Sequence, residues 1–240
     1  MVTEGADKPA TARVAGADWL ADRLTEPDSP GWQRLDAVLR RMGAGQQIEE
    51  VLRQMGAVDR AVYRAIAETP TPSLDEPLRR LSRAADKSRL WLAVAAVMAL
   101  AGGTSGRRAA ARGLVSIGIT SAVVNLGAKS LYARRRPDRA GAGVPDERQV
   151  KMPGSTSFPS GHSASAFAFA SAVGRDIPAL ALPLNLLASA VAYSRVHTGV
   201  HYPGDTIIGA VIGASTAYTV DGVLDSRAPA TGPLSYLQAP

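Results

Sequence analysis

Five apolar stretches organise the latter part of this chain, at about 90–103, 113–128, 163–174, 177–193 and 206–220. A membrane helix needs about 20 mostly apolar residues, with about 17 as a lower limit. Two of the stretches, 90–103 and 163–174, fall clearly short of that and none is long. The third extends through Gly161 and the second through Ser130-Leu131-Tyr132. Trp91 and Tyr193 stand at segment ends, where interfacial aromatics are common. The pattern predicts an all-α fold: a helical bundle with about five short transmembrane helices plus N-terminal amphipathic helices. The competing reading is a soluble helical core.

The N-terminal part has a different pattern. Residues 1–32 are rich in Ala, Asp, Thr and Pro, a composition that favours loose order, and they lack the apolar core of a secretory signal. Val38-Leu39-Arg40-Arg41-Met42-Gly43-Ala44 then recurs as Val51-Leu52-Arg53-Gln54-Met55-Gly56-Ala57. Leu35, Val38, Leu39 and Met42 fall at helical spacing, as do Ile48, Val51, Leu52 and Met55, and a glycine follows each set. Two short amphipathic helices are expected, packed on the main domain or used for membrane-surface attachment or dimer contact. A further amphipathic helix is expected at 57–68, before Pro70-Thr71-Pro72, and a charged helix at 74–87. The division is residues 1–55 as a polar extension, 56–222 as the helical-bundle domain and 223–240 as a tail.

Composition narrows the class. Hydrophobic residues make up 46% of the chain but aromatics only 5%, which suits close packing of small side chains between helices. With no cysteine there is no disulfide or thiolate metal site. Residues 1–89 carry 14 Lys/Arg and 14 Asp/Glu, so the net charge of +6 lies entirely in 90–240, with 13 against 7. Within 129–151 there are seven Lys/Arg against three acids. That cluster lies between apolar segments without interleaved aromatics, which argues against nucleic acid and for an anionic phosphate or lipid headgroup.

If each apolar stretch crosses once, the second exits into the 129–161 loop, the third returns and the fourth exits at Ser194. Lys129 and Asp205 then share one end of the bundle, although 76 positions separate them. Arginines and lysines outside the candidate site divide five against five between the two ends, so charge bias assigns no orientation.

Three polar clusters meet at that end. Lys129 and Arg136 lie seven apart, two helical turns, and are expected to project along one face of a helix end, with Pro137 ending the helix. Arg136 can fork onto two phosphate oxygens, and Lys129 acts as a point charge. Arg134 and Arg135 read as interfacial anchors. Pro159-Ser160-Gly161-His162 marks a helix start, whose free amides, with a hydroxyl and a glycine, make an anion site. The third cluster holds Ser194, Arg195, His197, His201 and Asp205. On a straight helix His197, His201 and Asp205 would form a metal-binding stripe, but Gly199, Pro203 and Gly204 break such a helix.

Lys129-x6-Arg136-Pro137, Pro159-Ser160-Gly161-His162 and Ser194-Arg195-x5-His201-x3-Asp205 together resemble the three-part signature of the type-2 phosphatidic acid phosphatase superfamily, with every motif position filled. The resemblance covers roughly residues 58–222. It implies a phosphatase with His201 as nucleophile, Asp205 orienting it, and His162 protonating the leaving oxygen. It further implies Lys129, Arg136, Ser160, Gly161 and Arg195 around the phosphate, a phosphohistidine intermediate, and no metal or other cofactor. His197 matches no motif position and is read as structural or close to substrate.

The leading expectation is therefore a multi-pass cell-membrane enzyme whose partners are the bilayer and a lipid phosphate or diphosphate. Polyprenyl phosphates, a polyprenyl-linked sugar phosphate and phosphatidic acid are the candidate substrates. The resemblance implies an outward-facing site, and a homo-oligomer stays open. Its usual layout has six membrane helices, and the weakly apolar 57–68 region stands in place of the first. Alternatives are a soluble acid phosphatase or vanadium-dependent haloperoxidase of the same superfamily, and a non-enzymatic membrane scaffold or anion transporter.

Overall fold

The first helix among the described residues runs straight through a glycine that reads as a stop. In the computed structural model, which describes residues 45–129 and 134–227, α1 spans Gly45–Glu68 without a break at Gly56. The second repeat copy and the 57–68 segment are thus one helix rather than two. The reason is tertiary: Tyr63 and Ala67 pack with Val144, Val196 and Tyr202, which outweighs the roughly 1 kcal/mol cost of an internal glycine. The first repeat copy, residues 1–32 and Ser130–Tyr132 lie outside the described residues.

Helix α2 spans Pro72–Ala84, with proline at its first turn and Thr71 Oγ1 donating to Asp75 Oδ1 at 2.9 Å. A short 3₁₀ turn, Asp86–Ser88, leads into α3, Arg89–Ala101. Lys87 and Ser88 are both left-handed there, with φ of 53° and 58°. Two adjacent non-glycine residues in that region are uncommon and mark a backbone held by its surroundings. Helix α4, Gly103–Ala122, continues as a wider π-helical segment over Val123–Ala128. Then come α5 (Gly161–Asp176), α6 (Pro178–His197) and α7 (Pro203–Arg227). Every regular element among the described residues is helical, as the sequence predicts.

Small residues set the packing. Gly209 and Gly213 lie one turn apart on α7, and a Cβ on either would collide with the carbonyl oxygens of Ser160 and Ala164 on α5. Backbones that close need glycine at the contact, the small-xxx-small arrangement of membrane helix pairs. The consequence is local to the site: the N-terminal ends of α5 and α7 are docked side by side. Below them the core joins Trp91 of α3 to Phe169 of α5, ring centroids 5.4 Å apart, among Ala109, Ala166, Val173 and Val191. Trp91 is therefore a core residue, not an interfacial anchor.

Three helices, Gly103–Ala128, Pro178–His197 and Pro203–Ser226, are long and apolar enough to cross a membrane by length and composition. At 13 and 16 residues, α3 and α5 fall below that length. Arg107, Arg108 and Arg112, ahead of the second apolar stretch, are inside α4. Arg108 and Arg112 reach Asp176 at 3.3 Å, and Arg112 reaches Asp225 at 2.5 Å. Cross-helix ion pairing at the end far from the motifs lets the helix start ten residues earlier than its apolar stretch.

Candidate active site

Ser160 caps α5, its Oγ accepting from the Ser163 amide at 3.4 Å and from Ser163 Oγ at 3.1 Å. Its own amide donates to the Asp205 carbonyl at 2.9 Å, tying the start of α5 to the start of α7. Gly161 and His162 follow as the first residues of the helix. The hydroxyl of Ser160 is thus engaged in capping, whereas Gly161 and His162 line the cavity described below.

His201 lies in the turn between α6 and α7, nearly completely buried. Its Nδ1 is 3.5 Å from Asp205 Oδ2, the long end of hydrogen bonding, and its Nε2 is 3.3 Å from Arg136 Nη1. Asp205 Oδ2 also accepts from Ser157 Oγ at 2.5 Å and from the Tyr202 amide at 2.9 Å. A carboxylate at Nδ1 favours the tautomer with its proton there, which leaves the Nε2 lone pair to accept from Arg136. Burial pushes the imidazole pKa down to about 4; Asp205 opposes that shift, and Arg136 and Arg195 add to it. At neutral pH His201 is therefore a neutral imidazole held in one orientation.

Lys129 and Arg136 converge without sharing a helix face. Lys129 is the last described residue of its helical segment, while Arg136 sits in an irregular stretch. They meet on Ser155, whose Oγ is 3.3 Å from both Lys129 Nζ and Arg136 Nη2. Arg136 also donates to the carbonyls of Ser155, Thr156 and Val200 at 2.7–3.2 Å, which fixes the guanidinium plane. Burial first, then the mutual repulsion of the two cations, lowers the Lys129 pKa. The two positive groups are held together with no acid between them.

These side chains line one cavity of about 210 Å³ with Lys87, Ser88, Gly161, His162 and His201. That volume is below the roughly 300–1,000 Å³ of drug-sized pockets and suits a head group better than a whole lipid. His162 of α5 and His201 of the α6–α7 turn both line it, and lysine and arginine give it a positive field.

His162 has a partner that sequence reading missed. Its Nε2 lies 2.9 Å from Asp86 Oδ1, in the strained α2–α3 turn. The bond from His162, opposed by burial, holds the Asp86 carboxyl below its ordinary range, with Arg195 contributing. Arg195 itself is buried behind this pair, 3.6 Å from Asp86 and donating to Ser82 Oγ at 2.6 Å. It supports the Asp86–His162 wall rather than lining the cavity. An aspartate ahead of an apolar stretch carries no signal that it will meet a histidine 76 positions on.

Two other readings change. Arg134 is no interfacial anchor: it is buried and donates to Asp205 Oδ1 at 2.8 Å and to Asp59 Oδ2 at 2.6 Å. His197 pairs with Asp75 at 3.0 Å away from the cavity, and α6 ends there, so His197, His201 and Asp205 form no helical stripe.

The fold is a helical bundle with a positively charged cavity at one end. The PAP2 superfamily profile matches residues 109–224. Over 156 residues the chain is 35% identical to the decaprenylphosphoryl-5-phosphoribose phosphatase of Mycolicibacterium smegmatis (strain ATCC 700084 / mc(2)155), covering 62% of this chain and 77% of that one. It is 40% identical over 100 residues to the enzyme of that name from Mycobacterium tuberculosis (strain CDC 1551 / Oshkosh), covering 41% of this chain. The matched region spans 52% of that relative's length, about half. The chain belongs to the PAP2 superfamily. Its fold resembles the crystal structures of Aquifex aeolicus LpxE (TM-score 0.55, 22% identity, 69% of this chain and 95% of that one) and of a transmembrane PAP2-type phosphatidylglycerolphosphate phosphatase from Bacillus subtilis (TM-score 0.56, 18% identity, 92% and 98%).

Proposed function

We propose that this protein is an integral-membrane phosphatase that removes a phosphate from a lipid carrier, with its site on the outer face of the cell membrane. The observation that carries this is the meeting of His201, His162, Lys129 and Arg136 on one small cavity, each histidine backed by a carboxylate. His201 Nε2 attacks phosphorus; the P–O bond to the lipid moiety breaks, and the leaving oxygen takes a proton from His162. Water then attacks the phosphohistidine, its proton passing to His162, and the P–N bond breaks to free His201 and phosphate. Lys129, Arg136 and the α5 amides offset charge on the phosphoryl oxygens throughout. In this reading side chains, the α5 amides and water carry every step, and no metal is invoked.

The names of the mycobacterial relatives favour a polyprenyl-linked sugar phosphate among the candidate substrates. The test is phosphate release by protein purified in detergent, from polyprenyl and glycerolipid phosphates with EDTA present. Release that persists in EDTA and disappears in His201→Ala is expected. Release that EDTA abolishes, or that survives His201→Ala, would overturn the mechanism.

A further inference from the structure

We infer that Arg134 and Asp59 form a positioning pair for the nucleophile, which makes α1 part of the catalytic unit rather than an appendage to it. This deepens the phosphatase reading and rests on it for the role of His201. Arg134 Nη1 donates in two directions, to Asp205 Oδ1 and to Asp59 Oδ2. The guanidinium carbon lies 4.2 Å from the Tyr202 ring centre, and the Arg134 carbonyl accepts from the Ser157 amide at 2.8 Å. Asp59, on α1, uses its other oxygen to accept from the Gly204 amide at 2.6 Å. A Cβ at Gly204 would press into that carboxylate. Tyr63, one turn along α1, meets Tyr202 edge-on with centroids 5.5 Å apart. Helix α1 therefore grips Tyr202 and Gly204, just ahead of Asp205 in the chain.

The charge pattern has a chemical consequence. Asp205 has both oxygens occupied, Oδ1 by Arg134 and Oδ2 by Ser157, Tyr202 and His201. A carboxylate pinned on both sides cannot turn away from the imidazole. Asp59, Arg134 and Asp205 carry a net charge of −1 together. His201 gains positive charge as it bonds to phosphorus, so this trio balances the charge that forms beside it. Burial works against the Arg134 charge, but Asp205 and Asp59 outweigh it and hold the guanidinium firmly protonated. The other charged or titratable groups facing His201 and Asp205 are Arg136 from the loop, Arg195 from α6 and the Tyr202 phenol; none is hydrogen-bonded to the Asp205 carboxylate.

The chain has three histidines, so each can be followed by NMR in detergent with ¹³C,¹⁵N-histidine, assigned through His162→Gln and His197→Gln. In Arg134→Gln the Asp205 charge is no longer shared with a guanidinium. The His201 titration midpoint should move up by about one pH unit or more, with kcat falling roughly 10- to 100-fold and KM little changed. Arg134→Lys keeps the cation and should restore most of both. Asp59→Asn leaves Arg134 on Asp205 but removes the balancing charge, so the midpoint should move down and kcat fall several-fold. A folded Arg134→Gln with wild-type His201 titration and tautomer would overturn the positioning role. If that variant does not fold, unchanged titration and kcat in Asp59→Asn would overturn it equally. The phosphatase reading fails separately, through turnover that survives His201→Ala.

Discussion

Asp86 and His162 are 76 positions apart in the chain and 2.9 Å apart in the fold. The contact gives the cavity a second histidine–carboxylate pair facing the first, His201 with Asp205. The first pair suits attack on phosphorus. In the proposed reaction the second pair is the proton donor: burial lowers the His162 pKa and eases proton release, while Asp86 opposes that shift and favours the imidazolium.

Asp86→Asn should therefore weaken acid catalysis selectively. With an alkyl-type lipid phosphate, kcat should fall roughly 10-fold or more. With p-nitrophenyl phosphate, whose leaving group needs little protonation, the change should be small. Comparing the two substrates in the same variant checks this. Equal losses on both would point to a merely structural contact.

The pH dependence follows from His201. Burial depresses its pKa to about 4, so the nucleophile is neutral above that value and protonated below it. The acid limb of the kcat/KM profile should fall as pH drops toward 4, well below the ordinary histidine value near 6.5. A profile from pH 3.5 to 8 with a control for protein integrity measures this. An acid limb centred at 6.5 would mean the imidazole is not held in a buried, cation-flanked setting.

Arg136 is fixed by three carbonyls and lies 3.3 Å from His201. Arg136→Lys retains the charge but loses the planar fork and most of those bonds. We expect kcat/KM to fall roughly 10- to 100-fold with folding intact. Steady-state kinetics beside a thermal melt would show it, and wild-type kinetics would rule out the clamp.

Helix α7 depends on glycine where it meets α5. Gly213→Leu forces a side chain against the Ala164 carbonyl and should destabilise by about 1–3 kcal/mol or more. The readout is thermal unfolding in detergent. Gly222→Leu, with open space around its Cβ position, is the matched control and should unfold near wild type.

The sequence was informative wherever meaning is local. Pro159-Ser160-Gly161 does begin a helix, the apolar stretches do become helices, and Lys129, Arg136, Gly161, His162 and His201 do line one cavity. What it hid depends on distant partners. Arg134 sits in a run of three arginines typical of an interfacial anchor, and only the fold supplies the two carboxylates that bury it. Gly56 carries a stop signal that packing of Tyr63 and Ala67 overrides. Trp91 occurs at a segment end, but Phe169 draws it inside. Residue type states what a side chain can do, and the partner that decides what it does is set by topology.

The central claim is that His201 carries the phosphoryl group, and trapping that group tests it most directly. Purified protein would be mixed with a ³²P-labelled lipid phosphate, quenched in alkali within milliseconds, digested and mapped. The account predicts an alkali-stable, acid-labile label on the peptide containing His201, absent from His201→Ala. Label on another residue, or turnover with no protein-bound phosphate under conditions that trap a phosphohistidine standard, would contradict it.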